Sequence, residues 1–445
     1  MSNQQSTTMP SQQASLLGDY DVVVCGAGPA GIGASIAAAR GGARTLLVER
    51  LSYVGGLGTH TRIYCWCDTQ GGPIFDELEE RIGRLGKARR WFDAERHIYE
   101  RGRVVLHGET LKAVALRMIR EAGADLLFGT TVTGSPMTDD TVVGVFAANK
   151  GGLSLIKAQV VIDATADADL AASAGAKFLK GDSEDGRLQH GNFMFDLGNV
   201  DTERARCQMP PEDRLLELIA DAHKSGKLRA PRGAFRPHAA NFPYHLPEHT
   251  LVLNYWELED IDGSDALAVS DLLTECQLIA LEVVEFCREH LPGYESCEIA
   301  RFWDVLSARE SRRIVGQYTV TRDDVLAGRK FDDGIAQACF FIDFHDSPPG
   351  ITVPYDLEFK RANTPPPGDW YEIPYRCLVP AKTRGLLVAG RCISSDRSAQ
   401  ASLRVMPTCM FTGEAAGTAA AMAIADGVLP HEVDGREVKK QIRQP

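Results

Sequence analysis

The chain has 445 residues, 44% hydrophobic and 24% charged, which excludes a wholly disordered, collagen-like or coiled-coil protein. At roughly 150 residues per domain, this is length for about three domains. The 60 acidic against 48 basic side chains leave a net charge of −12, a poor basis for binding nucleic acid or an anionic membrane, since counterion release needs a basic surface.

Residues 1–18 are rich in Gln, Ser and Thr, carry no side-chain charge and lack the basic segment of a signal peptide. They read as a floppy leader on a soluble, cytoplasmic protein. No apolar run approaches the roughly 18 residues of a membrane span. Eleven cysteines, an odd and sparse set, fit a reducing compartment. The nearest pair, Cys65 and Cys67, is spaced too closely for a zinc or iron–sulfur ligand set, so no metal is expected.

The first predicted element is a buried strand over 20–25, ending at Gly26-Ala-Gly28-Pro-Ala-Gly31. A small-residue helix follows over 32–39, then a strand over 45–48 that ends at Glu49. Gly26 permits the tight turn, Gly28 lets backbone approach a pyrophosphate, and Gly31 lets the helix lie close to the sheet. The helix N-terminus offers unpaired N–H groups and partial positive charge to phosphates, and Glu49 is placed to accept from a ribose diol. This is a dinucleotide site; the residues alone leave NAD and FAD undecided.

Further along, Arg81, Arg84, Lys87, Arg89 and Arg90 read as a solvated helix face. Apolar spacing predicts a helix over 108–121, with strands over 124–128, 130–133, 141–147, 153–158 and 160–165. Residues 180–370 differ: a helix over 271–290 stands among Pro- and aromatic-rich stretches at 230–247 and 347–367, the material of a substrate-binding insert. A buried strand over 385–389 and an Ala/Gly-rich helix starting at Pro407 return to the earlier style.

The segments 21–40, 47–59, 160–171, 308–316, 340–346 and 373–423 together resemble the FAD-dependent oxidoreductases related to fumarate reductase and succinate dehydrogenase. The resemblance implies an α/β fold: a Rossmann-like, glutathione-reductase-like FAD-binding domain with an inserted α+β substrate domain. It also selects FAD. Gly26, Gly28 and Gly31 would hold the pyrophosphate, and Glu49, with Arg50 beside it, the adenosine ribose. Gly55, Gly56 and Thr59 match the loop along the phosphates, and Val132 falls where backbone meets adenine. Ala164 and Asp167 match an ATGD element in which Ala166 replaces the glycine, which puts the turn, and Asp167's contact, in question. Gly390 and Arg391 begin a second flavin contact. The helix after Pro407, carrying Gly413, would aim its positive end at the flavin, where it or Arg404 would stabilise the charge of the reduced ring. Some relatives attach flavin through histidine; the residues around His60 do not match that pattern, so FAD is expected to be non-covalent.

Three groups are candidates for chemistry. Arg309, Glu310, Arg312 and Arg313 read either as a helix face of ion pairs or as arginines that clamp a substrate carboxylate. His345 alternates with Asp343 on a predicted strand, a general base beside a carboxylate. His238, His245 and His249 lie close in sequence, but in no standard ligand spacing. Cys409, in the first turn of the last helix, is where a thiolate would be favoured, although no redox partner is evident.

The sequence therefore reads as a leader (1–18), a discontinuous FAD-binding domain (19–180 and 370–432), a substrate domain (181–369) and a tail (433–445). Its expected activity is hydride transfer between a small polar substrate and flavin N5, with an unidentified electron acceptor and the possibility of a homo-oligomer. The alternatives are a non-redox or group-transfer FAD protein, or an electron-transfer subunit of a larger complex.

Overall fold

The apolar run at the start of the chain forms β1 (Ser15–Cys25), which leads through a glycine turn into α1 (Pro29–Arg40) and back into β2 (Thr45–Val48). A computed structural model describes residues 13–61, 63–67, 70–91, 102–230, 251–258, 261–345 and 357–443. The core continues with α2 (Gly108–Ala122), β3 (Asp125–Leu127), β4 (Thr131–Gly134), β5 (Gly144–Asn149) and β6 (Gly152–Asp163), and closes with β7 (Leu386–Val388) and α3 (Met406–Asp426).

β3, β2, β1 and β6 lie side by side and parallel. The far edge of β6 is shared: β5 runs antiparallel along its first half and β7 parallel along its last three residues. Alternation assigns the two faces. Val22, Val24, Val160 and Ile162 enter a core with α1, α2 and α3, while Val23, Cys25 and Val161 enter another with Val145, Leu170 and Ile314. Burial on both faces explains why these strands read as continuous apolar runs.

α1 and α3 meet backbone to backbone. A Cβ on Gly413 would lie 1.9 Å from the Ala30 carbonyl oxygen, and one on Gly417 2.2 Å from that of Ala34. The small residues seen in the sequence are thus the seam that fixes both helix N-termini.

A further antiparallel sheet pairs Gly191–Gly198 with Leu251–Leu258 and with Glu298–Phe302. The helix Ala266–His290, capped by Asp265, buries Cys276, Ala280, Val283 and Phe286 in a separate core with Phe193, Phe195 and Ile219.

Several expectations are corrected. Ser15 pairs with Ser154, so the strand begins inside the expected 1–18 leader. The predicted strands over 153–158 and 160–165 are one. The basic run is divided: Arg81 and Arg84 lie on the helix Pro73–Arg84, while Arg89 and Arg90 lie on the strand Ala88–Trp91. Val320, Val325, Ile335, Ala338 and Ile342, inside the expected 181–369 substrate domain, pack into the α1–α3 core. The expected tail forms a helix, Gly435–Arg443, docked by buried Val438 and by Lys439, which donates to the Phe331 carbonyl at 2.7 Å.

Glu414 on α3 is 6% exposed, and burial, with Asp76 and Glu77 adding to it against the Ile74 N–H and Arg40, pushes its carboxyl up from 4.5 to about 7. The folded state therefore holds this proton more tightly than the unfolded chain. The stability this contributes is complete below about pH 4.5 and is lost as pH rises through about 7, roughly 3 kcal/mol in all. Glu414→Gln is expected to remove that slope from urea midpoints measured between pH 5 and 8; an unchanged slope would contradict the assignment.

Candidate functional site

The turn after β1 opens one end of a long cleft enclosing about 1200 Å³ of space continuous with solvent. Gly26 has φ 96°, and a Cβ there would lie 2.6 Å from the Ala164 carbonyl oxygen, so only glycine fits. Gly28 caps α1 without a side chain, Pro29 follows, and the first turn holds no acid. Its N–H groups are left for an anion. Glu49, at the end of β2, accepts the Ala27 N–H at 2.7 Å and the Leu51 N–H at 2.8 Å while lining the cleft.

Gly26, Gly28, Glu49, Arg50, Gly56, Val132, Ala164, Asp167, Gly390, Arg391 and Arg404 all line this one cleft. Gly31, Gly55, Thr59 and Gly413 are not among the lining residues but shape its walls. A Cβ on Gly31 would lie 1.8 Å from the Gly26 carbonyl oxygen. Thr59 donates to the Val54 carbonyl at 2.9 Å and fills the space over Gly55.

The turn in which Ala166 stands at the expected glycine is left-handed: Ala166 has φ 74° and Ala168 φ 53°. Each costs about 1–2 kcal/mol relative to ordinary backbone. The turn brings the Asp167 carboxylate to the cleft, where Arg391 meets it at 2.6 Å and Ser311 donates to it. Burial works to raise the Asp167 carboxyl, but Arg391, Ser311 and Arg312 outweigh it and hold the group below the usual value. Arg312 donates to Asp169 at 3.0 Å and to the Asp167 carbonyl at 3.1 Å, which ties it to this turn.

The expected helix face at Arg309–Arg313 is not helical; Arg312–Ile314 is a short strand. Glu310 has no exposure and is held by Arg313, by Arg397 at 3.0 Å and by the Gln189 N–H at 3.0 Å. It is a buried counter-charge set away from the cleft wall. Arg309 donates to the His190 carbonyl at 2.5 Å, and the His190 N–H donates to the His345 carbonyl at 2.6 Å.

The segment 340–345 is irregular, because its backbone bonds loops: Ile342 donates to the Asn363 carbonyl at 2.7 Å. Asp343 and His345 are still brought together, 3.2 Å apart, and Arg404 donates to the Asp343 carbonyl at 2.8 Å. Burial works to raise the Asp343 carboxyl, but His345, Arg404 and Arg309 together hold it well below the usual range. Arg404 lines the cleft; Asp343 and His345 stand behind it.

Residues 21–442 match a family model described as FAD dependent oxidoreductase. The chain belongs to the FAD-dependent oxidoreductase family. A curated relative, the thiamine thiazole synthase of Sulfolobus acidocaldarius, is 33% identical over 171 residues, which are 36% of this chain and 60% of the relative, so less than two thirds of it is spanned. Among solved structures, a geranylgeranyl bacteriochlorophyll reductase-like protein from Thermoplasma acidophilum is similar over 96% of this chain and 83% of its own, at 13% identity and TM-score 0.44. OxyS, an anhydrotetracycline hydroxylase from Streptomyces rimosus, covers 96% of this chain and 66% of its own, at 14% identity and TM-score 0.45. The fumarate-reductase kinship is accordingly broadened to the whole FAD-dependent family.

The cleft's own residues fit FAD. The uncapped α1 N-terminus suits a pyrophosphate, and the Nε atoms of Arg391 and Arg404 are buried without a hydrogen-bond partner among the described residues. Met406 and Cys409 in the first turn of α3 line the cleft, so this helix presents its N-terminal end there. The Cys409 expectation is corrected: burial pushes its thiol up to about 12 despite Arg391 and Arg404, which leaves no thiolate. His60 lines the cleft with both ring nitrogens engaged, Nδ1 with Asp304 at 3.3 Å and Nε2 with the Tyr53 carbonyl at 3.2 Å.

Other lining residues escaped the sequence. Val305 and Leu306 reach the cleft from beyond the strand Glu298–Phe302, Thr131 from the start of β4, and Thr130 and Thr165 from loops. Val305 and Leu306 carry no local motif, whereas Thr165 lies within the ATGD-like element without having been singled out. Gln189 and Gln400, paired at 2.8 Å, tie together the segments around Arg309. Among the described residues no group of three or more His, Cys, Asp or Glu could hold a metal ion. His238, His245 and His249 lie outside those residues. No described helix is long and apolar enough to cross a membrane.

Proposed function

We propose that this FAD-dependent oxidoreductase transfers hydride between a small polar substrate and flavin N5. The observation that carries this reading is Arg404 in the wall of the cleft, backed by Asp343 and, through it, by His345. Bound FAD supplies the two-electron acceptor or donor. Toward it, Gly26, Gly28 and the first turn of α1 hold the pyrophosphate, Glu49 and Arg50 the ribose, and the backbone at Val132 the adenine. Asp167, Gly390 and Arg391 hold the flavin end, against the N-terminus of α3.

On the substrate side, the spare Nε donor of Arg404 meets a hydroxyl or carboxylate oxygen, and Arg309 orders the His190–His345 backbone. His345, oriented by ionised Asp343, takes the substrate proton as the adjacent C–H bond breaks. FAD is held non-covalently, with the His60 ring tied within the protein to Asp304 and the Tyr53 carbonyl.

His345→Asn is expected to keep FAD bound, released by acid precipitation as in the wild type, while slowing anaerobic flavin bleaching by a polar substrate about 100-fold or more. Bleaching at the wild-type rate would overturn the assignment of His345.

A further inference from the structure

Two faces of α3 serve different spaces. Met406 and Cys409 line the FAD cleft, whereas Phe411 and Glu414 line a separate cavity, about 700 Å³ of space continuous with solvent, that shares no lining residue with it. The other walls are backbone at Gly72 and Gly334, with Lys439 and Arg443 from the C-terminal helix. The side chains that line it, one acid and two cations among apolar and backbone groups, suit a small ligand carrying both charges.

Its floor is an acid short of partners. Glu414 Oε2 accepts the Ile74 N–H at 3.4 Å, the outer limit of a hydrogen bond, and Oε1 has no hydrogen-bond partner among the described residues. The charged groups around Glu414 are Arg40 from α1, Asp76 and Glu77 from the helix Pro73–Arg84, and Lys439 and Arg443 from the C-terminal helix, both paired with Glu372 of the strand Tyr371–Pro374. The cations are committed elsewhere: Arg40 to Glu77 at 2.8 Å, Lys439 to Glu372 at 3.0 Å and Arg443 to Glu372 at 3.2 Å. A buried carboxylate in this position lacks a counter-charge, and a ligand ammonium would supply one. Arg443 is half exposed and makes one bond through Nη2, which leaves guanidinium donors for an anion.

We propose that this cavity binds a short amino acid, its ammonium group on Glu414 and its carboxylate toward Arg443. The site is independent of the hydride-transfer reading, since no residue of the FAD cleft takes part. Binding uses ionised Glu414, whose proton is lost near pH 7, so affinity rises with pH across that value.

The test is calorimetric titration of the FAD-loaded protein with glycine, β-alanine, ethylamine and acetate at pH 6 and pH 8. Glycine or β-alanine is expected to bind about tenfold more tightly at pH 8 than at pH 6, ethylamine more weakly than either, and acetate not at all. Glu414→Gln should lose at least tenfold in affinity with an unchanged flavin spectrum, and Arg443→Ala should bind the amino acids no better than ethylamine. Absence of heat from every ammonium probe, or equal binding by Glu414→Gln, would overturn the proposal and leave Glu414 as an acceptor for the Ile74 N–H alone. If Glu414→Gln does not load FAD, Arg443→Ala decides, because wild-type affinity for glycine in that variant contradicts the site.

Discussion

Gly413→Ala is expected to abolish stable FAD loading. The new Cβ would lie 1.9 Å from the Ala30 carbonyl oxygen and 2.6 Å from its carbon, and both are backbone atoms inside α1 that cannot swing aside. The helices must part. Overpacking a rigid seam costs about 1–3 kcal/mol and more where backbone has to move. The seam does more than hold the fold, because α1 presents its uncapped N-terminus at Gly28 and α3 its first turn at Met406 and Cys409 to the same cleft. Parting them displaces both ends of the cofactor site at once. The expected result is a flavin-to-protein ratio below one tenth of wild type, with a lowered melting temperature. A fully loaded variant would show that the seam tolerates a methyl group and that the cleft does not depend on it.

Glu310→Ala is expected to cost about 3–5 kcal/mol of stability, the range for removing one partner of a buried ion pair. Arg313 is 3% exposed and pairs with Glu310, and Arg397 meets the same carboxylate at 3.0 Å. Removing the acid takes the carboxylate from the buried Arg313 and the acceptor from the Gln189 N–H, while Arg397 keeps Asp182 at 3.2 Å. Gln189 precedes His190, whose N–H holds the His345 carbonyl, so flavin reduction should slow along with the loss of stability. Glu310→Gln, which keeps an acceptor, should fall between the two in urea unfolding. A loss below 1 kcal/mol in the alanine variant would contradict this account of the network.

The elements legible in the sequence are those whose hydrogen-bond partners lie nearby or whose burial is uniform. β2 is Thr45–Val48, as its bounded apolar run indicates. Gln159 interrupts the apolar pattern of β6, yet it points outward and donates to Asp21 at 2.8 Å while the backbone ladder continues. The segment at Asp343 and His345 alternates like a strand, but has loops for partners. Its side chains meet as alternation suggested, for a different reason. The turn at Gly26 is legible because its chemistry is local, and Ala166 takes a left-handed backbone, φ 74°, at a cost in strain. Val305, Leu306 and Gln189 could not be found this way, since only tertiary packing brings them to the site.

The central claim is that this cleft holds FAD which a polar substrate can reduce. The purified protein is predicted to show a flavin spectrum, or to gain one when FAD is added. That spectrum is predicted to bleach under argon with at least one member of a panel of alcohols, hydroxy acids and amines. A colourless protein that stays empty in excess FAD would contradict the account at its base.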